Sequence, residues 1–270
     1  MFLKGKGEIL GLPGITREEM VEVDRKMVED FKIPIELMME LAGLNLAKLA
    51  LILSNDKEVN YVIIAGSGNN AGGGIVAARR LASWGLNAQV IFPMGVDKLK
   101  NIPKEQLIRA EQLGIEIVYE LPDNSSDFKE NSFFIDAYLG YGFTSRQNDI
   151  SEKVFNFLSN INTLLSLDIP SGLDATTGIS YSNINPMATL TLGFVKKGLL
   201  ITEQKNIGEL YVADIGIPIR IYYEILRNHW NLIYKKISLE KLYLTFENSS
   251  IQKVKIYKNQ FLEKSYWTIS

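Results

Sequence analysis

The sequence predicts an α/β protein with a largely parallel sheet that helices cover on both faces. Short apolar runs of strand length alternate with stretches of helical periodicity along most of the chain. Every loop of unusual composition follows one of these apolar runs. In parallel sheets, ligands bind beyond the carboxyl ends of the strands, where such loops gather. We therefore expect a ligand site along one edge of the sheet.

The predicted elements follow one another in a regular order. Thr16 and Glu19 have the spacing of a capping box, so a first helix is expected to begin there and to end before Pro34. The stretch 35–54 predicts a second, more buried helix. Strands are then expected at 61–66, 87–92, 115–121, 132–140, 163–172, 188–194 and 209–218, and further helices at 75–85, 98–114 (with its start near Pro103) and 151–161.

The pattern changes after Pro218. One helical stripe is followed by two short alternating stretches: Ile219, Tyr222, Leu226, Trp230 and Ile233, then 242–246 and 254–257. We therefore divide the chain into a domain at 1–218 and an extension at 219–270, made of a helix and a small hairpin. The expected contribution of the stripe is core packing, and the sequence assigns no role to the extension.

Composition narrows the possible functions. The 270 residues are 46% hydrophobic, which is enough to bury a full core. A net charge of −2 gives no field that would hold nucleic acid or an anionic membrane, so neither is expected as a partner. The absence of cysteine excludes disulfides, thiolate metal ligands and a cysteine nucleophile. The single histidine, His229, lies among aromatic and aliphatic residues, which favours a packing or surface position.

Residues 1–20 lack an apolar core of signal-peptide length. No later stretch has the roughly 20 uninterrupted apolar residues that span a bilayer. We therefore expect a soluble, cytoplasmic protein.

The stretch 66–74, GSGNNAGGG, predicts a phosphate-binding loop between a strand and a helix. Its glycines allow close approach of a ligand, and a helix starting near Gly74 would point free N–H groups at it. Asn69 and Asn70 add amides that can serve a phosphate or a cation. The stretch fits G-x-G-x-x-A, but it lacks both the acidic residue expected about 20 residues later and a following Gly-Lys-Ser/Thr. The alternative is a tight turn that needs glycine only for its geometry.

Five stretches in order resemble one known family. GSGNNAGGGIVAARRL resembles the G-x-G-N-N-G-G-D-G-x-x-A-A-R-x-L pattern of NAD(P)H-hydrate epimerases, the YjeF N-terminal domain family. The other four are ITREEMVEVDRKM with ELMMELAG, FIDAYLGYGF, LSLDIPSGLDATTG and GELYVADIGIP. Together they cover about residues 14–218, and a match of five segments is far more specific than one glycine loop.

The resemblance implies a three-layer αβα sandwich, Rossmann-like, and an isomerase of cofactor repair. Such enzymes interconvert the S and R epimers of hydrated NADH and NADPH (NADHX and NADPHX). It also implies a homodimer paired through the N-terminal helices. In the family a dehydratase is often fused after the epimerase domain. The residues after Pro218 are too few for one, so a separate NAD(P)H-hydrate dehydratase is an expected partner.

The resemblance also assigns residue roles. Asp168 would be the acid/base, because a partly desolvated carboxylate at the end of a strand can give and take a proton; a turn cap is its alternative. Lys196 aligns with a family lysine and, as a second catalytic residue, would hold a charged intermediate. Potassium, the implied cofactor, would be bound by Asn70, Asp136 and Ser171. The substrate would be contacted by Asn69, Asn70, Ala71, Gly72, Gly73, Gly140, Tyr141, Gly142, Phe143, Thr144, Ser145, Arg146 and Asp168. Arg146 is equally compatible with a solvated loop arginine.

The chain departs from the family pattern at two positions. Gly73 and Thr189 stand where the family has aspartates. If the first aspartate orients the substrate or transfers a proton, its loss lowers activity. If it only caps a helix, the loss costs a few tenths to about 1 kcal/mol of stability. These departures keep an alternative open: a catalytically impaired nucleotide-binding or protein-interaction and dimerisation module.

Overall fold

The computed structural model describes residues 12–55, 58–122, 128, 131–145, 148–227, 246, 249–259 and 264–269. The strands form one ten-stranded sheet in the order β1-β10-β9-β8-β7-β6-β5-β2-β3-β4. Their bounds are β1 Leu12–Pro13, β2 Asn60–Ala65, β3 Asn87–Ile91, β4 Glu116–Val118, β5 Ser132–Ala137, β6 Leu164–Leu167, β7 Ala188–Leu192, β8 Glu209–Ala213, β9 Ile251–Asn259 and β10 Lys264–Ile269. All pairings from β4 across to β8 are parallel. The predicted α/β class is confirmed.

Helices alternate with these strands as the sequence predicts. Their bounds are α1 Arg17–Arg25, α2 Ile35–Ser54, α3 Asn69–Ser83, α4 Asn101–Gln112, α5 Asp149–Ser159, α6 Lys197–Ile201 and α7 Ile219–Leu226. The capping box of α1 is present, with the Thr16 side chain accepting from the Glu19 N–H and the Glu19 carboxylate accepting from the Thr16 N–H. A π-helical turn, Lys26–Asp30, continues α1.

One predicted helix start is wrong, and another lies within two residues of the observed start. α3 begins at Asn69, not near Gly74, because Gly72 to Gly74 lie inside the helix. Their missing side chains let α3 approach its neighbours: a Cβ on Gly74 would lie 2.5 Å from the Ala137 Cβ. α4 begins at Asn101, with Pro103 in its first turn, where a missing N–H costs nothing.

The sheet separates two layers of helices. Tyr61, Ile63 and Ala65 of β2 pack in a core with residues of α2, α3 and α4. Val62 and Ile64 of the same strand pack in a core with α5. This alternation is what a strand buried on both faces requires. The three-layer αβα arrangement follows directly from it.

The C-terminal strands continue this sheet. β9 pairs antiparallel with β8, β10 pairs with β9, and β1 pairs with β10. A hairpin therefore exists, and 254–257 lies in its first strand. The predicted strand at 242–246 falls outside the described residues except for Phe246, as does His229.

By length and composition α2 could cross a membrane, the one such helix found in the part of the chain that the structure describes. Half of that stretch is buried inside the protein, and nine of its residues belong to the interior. The apolar character of α2 is accounted for by the core it helps to form.

Candidate functional site

A cavity of about 490 Å³ opens at the carboxyl ends of β2, β5 and β6. Its walls come from α1, the β2–α3 turn, the loop after β5 and the end of β6. The expected ligand site at this edge of the sheet therefore corresponds to a real cavity. Eight of the predicted substrate contacts line it: Asn69, Asn70, Gly73, Gly140, Tyr141, Gly142, Phe143 and Asp168.

The remaining predicted contacts lie elsewhere. Ala71 and Gly72 are buried inside α3, facing away from the cavity lining. A Cβ on Gly72 would overlap the Met39 sulfur, so this glycine serves helix packing. Thr144 and Ser145 are exposed beyond the cavity, and Arg146 falls outside the described residues.

The early start of α3 changes how a phosphate could be held. Gly68 is the N-cap residue, and the Gly72 N–H donates to the Gly68 carbonyl oxygen at 3.4 Å. Free N–H groups therefore belong to the first turn, Asn69 to Ala71, rather than to the glycines after it. A helix N-terminus at a cavity wall still suits an anionic ligand.

Asp168 and Lys196, the two predicted catalytic residues, form a buried ion pair. Asp168 is 3% exposed and Lys196 is fully buried. The Asp168 Oδ1 accepts from Lys196 Nζ at 2.5 Å, and its Oδ2 accepts from the Tyr141 N–H at 2.9 Å. Lys196 also donates to Thr191 Oγ1 at 3.2 Å and to the Leu192 carbonyl oxygen at 2.9 Å. All three ammonium protons are used, so Lys196 is fixed as a support for the carboxylate.

The backbone of Asp168 has an unusual conformation. Its φ is +67°, in the left-handed region that asparagine and aspartate enter more easily than other non-glycine residues. Such a residue costs on the order of 1 kcal/mol and is found most often at functional sites. Its carboxylate bonds to Tyr141 and Lys196 rather than capping the turn that follows β6.

Asp136, Ser171 and Asn70, the predicted potassium ligands, meet in one hydrogen-bond network around Leu139. Ser171 donates to Asp136 Oδ1 at 2.5 Å and accepts from the Leu139 N–H at 2.9 Å. The Asn70 amide donates to the carbonyl oxygens of Leu139 at 3.0 Å and Leu167 at 3.2 Å. The network is thus rich in the hydroxyl, carbonyl and carboxylate oxygens that hard cations prefer.

Each Asp136 oxygen already accepts two hydrogen bonds. Oδ1 accepts from Ser171 Oγ and from the Tyr138 N–H at 3.2 Å. Oδ2 accepts from the Ser171 N–H at 2.8 Å and from Ser166 Oγ at 3.1 Å. Complete burial nevertheless raises the pKa of Asp136, because desolvation outweighs these bonds. The donor set fits a monovalent cation, but direct ligation by Asp136 requires the Ser171 hydroxyl to turn away.

A carboxylate that the sequence reasoning missed also lines the cavity. Arg17, Met20, Val21 and Asp24 of α1 face it at helical spacing. Asp24 Oδ2 accepts from the Tyr141 hydroxyl at 2.5 Å, and burial raises the pKa of Asp24. The i, i+3, i+4, i+7 spacing was readable in the sequence, but the stronger apolar stripe on the same helix hid this second face. Lys100, at the start of α4, also lines the cavity and was missed.

The two departures from the family pattern lie in different places. Gly73 lines the cavity, and a Cβ there would lie 2.9 Å from the Leu167 Cδ2, the end of a flexible side chain. Thr189 is fully buried in β7 and donates to the Ile207 carbonyl oxygen at 2.7 Å. Asp174 stabilises a turn, accepting from the N–H groups of Thr176 and Thr177. Only the Gly73 departure touches the cavity.

By sequence the chain is similar to NAD(P)H-hydrate epimerases, and one solved structure shares its fold. The chain is 35% identical over 213 residues to the NAD(P)H-hydrate epimerase of Dehalogenimonas lykanthroporepellens, covering 77% of this chain and 84% of that one. It is 30% identical over 211 residues to the epimerase of Leuconostoc mesenteroides, covering 76% and 91%. Enzymes of this name are isomerases.

A bifunctional NAD(P)H-hydrate repair enzyme Nnr from Thermofilum pendens is 32% identical over 207 residues, and the match covers 74% of this chain but 39% of that enzyme. The crystal structure of yeast ynu0 has the same fold, with a TM-score of 0.68 at 23% identity, covering 79% and 93% of the two chains. The family model for the YjeF-related protein N-terminus matches residues 35–198. The chain therefore belongs to the YjeF-related N-terminal family.

Proposed function

We propose that this protein is an NAD(P)H-hydrate epimerase, which interconverts the S and R forms of hydrated NADH and NADPH. One observation carries the proposal: Asp168, on the cavity wall, is held by a fully buried lysine. The relatives are named for this reaction. The Asp168–Lys196 pair provides a carboxylate that is able to transfer the proton.

Asp168 is the proton-transfer group of this proposal. The two epimers differ at a hydroxyl-bearing carbon next to a ring nitrogen, and they interconvert through loss of water or ring opening. Either route needs one group that gives and takes a proton. Lys196 binds Oδ1 and leaves Oδ2, shared with the Tyr141 N–H, toward the cavity. We assign Lys196 to orienting Asp168, since its three protons have protein partners.

The rest of the cavity suits a dinucleotide. The first turn of α3 offers N–H groups to phosphate, with Asn69 beside it. Lys100 and Arg17 also line the cavity and add positive charge for the phosphates. The loop Gly140–Phe143 covers the carboxylate and would contact the hydrated ring.

Potassium is the cofactor of the proposal, held by Asn70 and Ser171 with Asp136 behind them. When bound, the ion would supply a fixed positive charge close to the β2–α3 turn and the loop after β5. The oxygen-rich network around Leu139 supports this assignment. No group of three or more His, Cys, Asp or Glu side chains placed to hold a metal ion occurs among the described residues.

A second candidate is the binding module, and Gly73 is the observation that favours it. Gly73 leaves the cavity wall without the family's carboxylate at that position. The Thr189 departure gives it no support, since the Thr189 hydroxyl donates to the carbonyl oxygen of Ile207, just before β8, and Thr189 does not line the cavity. Retention of the Asp168–Lys196 pair favours the enzyme.

A coupled assay tests the proposal. An S-specific dehydratase first consumes the S form in a mixture of S and R NADH hydrate, and the protein is then added in potassium buffer. We expect rapid recovery of NADH from the remaining R form. A rate equal to spontaneous epimerisation, for wild type and for Gly73→Asp alike, would overturn the enzymatic proposal and leave the binding module.

The bifunctional relatives are longer chains, and the matches cover 39% and 43% of two of them. We propose that a separate dehydratase consumes the S form that this protein supplies. A homodimer is likewise part of the proposal, and sedimentation at micromolar concentration would measure it.

A further inference from the structure

Tyr141, in the loop after β5, is bound at both ends by carboxylates of the cavity. Its hydroxyl donates to Asp24 Oδ2 at 2.5 Å. Its backbone N–H donates to Asp168 Oδ2 at 2.9 Å. Asp24 lies on α1, whereas Asp168 follows β6, so one residue of the loop connects two walls of the cavity.

We infer that Asp24 is a positioning residue for the epimerase reaction: through the Tyr141 hydroxyl it holds the loop Gly140–Phe143 so that the Tyr141 N–H stays on Asp168. The inference rests on the proposed function for its catalytic consequence. The geometry of the clamp itself does not depend on that function.

The surroundings of Asp24 differ from those of two nearby acidic residues, one in α1 and one in the π-helical turn that continues it. Glu22 and Glu29 both pair with Arg25, at 2.8 Å, on the exposed side of the helix. Asp24 faces the cavity, and among the described residues the hydrogen bond to its side chain comes from Tyr141, with no ion pair. A partly buried carboxylate that has no direct ion pair is costly to keep ionised, so its place on the cavity wall favours a role in the site.

The loop has little freedom where it meets Asp168. A Cβ on Gly140 would lie 3.2 Å from both Asp168 Oδ2 and the Asn70 Cγ, so the backbone sits against these side chains. Farther along, the Phe143 ring packs edge-on against Phe155 and Tyr181, with centroids 6.4 and 5.9 Å apart. Between these two contacts, Asp24 fixes the loop by accepting from the Tyr141 hydroxyl. A misplacement of about 1 Å in such a site can reduce the rate about 100-fold.

The clamp can be removed from either side. Tyr141→Phe deletes only the hydroxyl, and Asp24→Ala deletes the carboxylate that accepts from it. We expect each variant to lower kcat about 10-fold to 100-fold in the coupled assay, with KM changed less than about threefold. Glu22→Gln, on the exposed side of the same helix, is the matched control and should retain wild-type kcat.

A double variant distinguishes an effect of Asp24 through the Tyr141 hydroxyl from two independent effects on kcat. If Asp24 acts through the Tyr141 hydroxyl, Asp24→Ala/Tyr141→Phe loses about as much kcat as the worse single variant. Losses that multiply would overturn the inference. So would wild-type kcat in both single variants.

Hydrogen exchange of the unliganded protein tests the clamp without any substrate. We expect Asp24→Ala and Tyr141→Phe to speed exchange of the Tyr141 amide about tenfold, whereas Glu22→Gln leaves it unchanged. Unchanged exchange in both clamp variants would overturn the inference. An inactive wild type whose clamp variants do speed exchange would instead remove the proposed function and keep the clamp.

Discussion

Two aspartates at the ends of neighbouring strands differ in what surrounds them. Asp136, in β5, is fully buried and accepts four hydrogen bonds from neutral donors. Asp168, just after β6, is paired with a lysine on one oxygen and has one N–H on the other, with the cavity beside it. A carboxylate saturated by neutral donors ties loops together, whereas one held by a single cation at a cavity keeps an oxygen for chemistry.

The backbone creates this difference. Asp136 has strand conformation, so its side chain points into the space between β5 and the Ser171 turn. Asp168 has left-handed conformation, which turns its side chain out of the strand pattern toward the loop after β5. The two side chains therefore accept from different residues of that loop, Asp136 from the Tyr138 N–H and Asp168 from the Tyr141 N–H.

The largest effect is expected for Asp168→Asn. Asparagine tolerates the left-handed backbone and keeps an oxygen for Lys196, but it cannot take up a proton, and its NH₂ group would face the Tyr141 N–H. We expect kcat to fall about 1,000-fold, with the protein still folded. The coupled assay measures this, and circular dichroism verifies folding. A fall in kcat of less than tenfold would contradict the assignment of proton transfer to Asp168 and a structural role to Asp136.

Asp136→Asn should act chiefly on stability. Its new NH₂ group would face donors on Ser171 or Ser166, leaving buried N–H and O–H groups without acceptors. We expect the free energy of unfolding to fall by about 2–3 kcal/mol. Urea denaturation measures it. Unchanged stability would show that the network around Leu139 does not depend on this carboxylate.

A third aspartate shows how the extent of burial decides the direction in which the pKa of a hydrogen-bonded carboxylate shifts. Asp174 also accepts two backbone N–H bonds, but it is only partly buried. Burial tends to raise the pKa of Asp174, yet the bonds from Thr177 and Thr176 outweigh it and lower the pKa, the opposite of Asp136.

Asp174→Ala should therefore cost about 1 kcal/mol at neutral pH, a value kept small by solvent screening. A lowered folded-state pKa means that the contribution is present above the unfolded pKa of about 3.9 and is lost as pH falls below it. Urea denaturation of wild type and variant at several pH values measures the difference. A difference that persists below the folded-state pKa would contradict this role for the Asp174 carboxylate.

Gly73→Asp is expected to have the smallest effect. The new Cβ would press on the Leu167 side chain, which can move, while replacing a helical glycine gains up to about 1 kcal/mol. We expect the free energy of unfolding to change by less than about 1 kcal/mol and the turnover rate by less than about threefold. If turnover instead rose about 100-fold, the missing carboxylate would belong to the chemistry.

Much of the architecture was readable from the sequence, because apolar runs report strands that are buried on both faces. Asp168 could be placed at the edge of the sheet because an apolar strand precedes it and a Pro-Ser-Gly turn follows. The start of α3 could not, since glycine signals both loop flexibility and close helix packing, and only the tertiary contact with Ala137 separates the two.

The bond between Asp24 and Tyr141 was also out of reach. It joins residues 117 positions apart, on a helix and a loop that meet only in the folded chain. No local sequence pattern predicts such a pair. Its two halves were visible separately, as one polar position on a helix and one aromatic residue between glycines.

The proposed function depends above all on Asp168 interconverting the two epimers in this cavity. A direct experiment incubates purified R epimer of NADH hydrate with wild type and with Asp168→Asn, and separates the epimers chromatographically over time. We expect S epimer to accumulate well above the spontaneous rate with wild type and at the spontaneous rate with the variant. Equal rates for the two proteins would show that Asp168 does not perform this reaction.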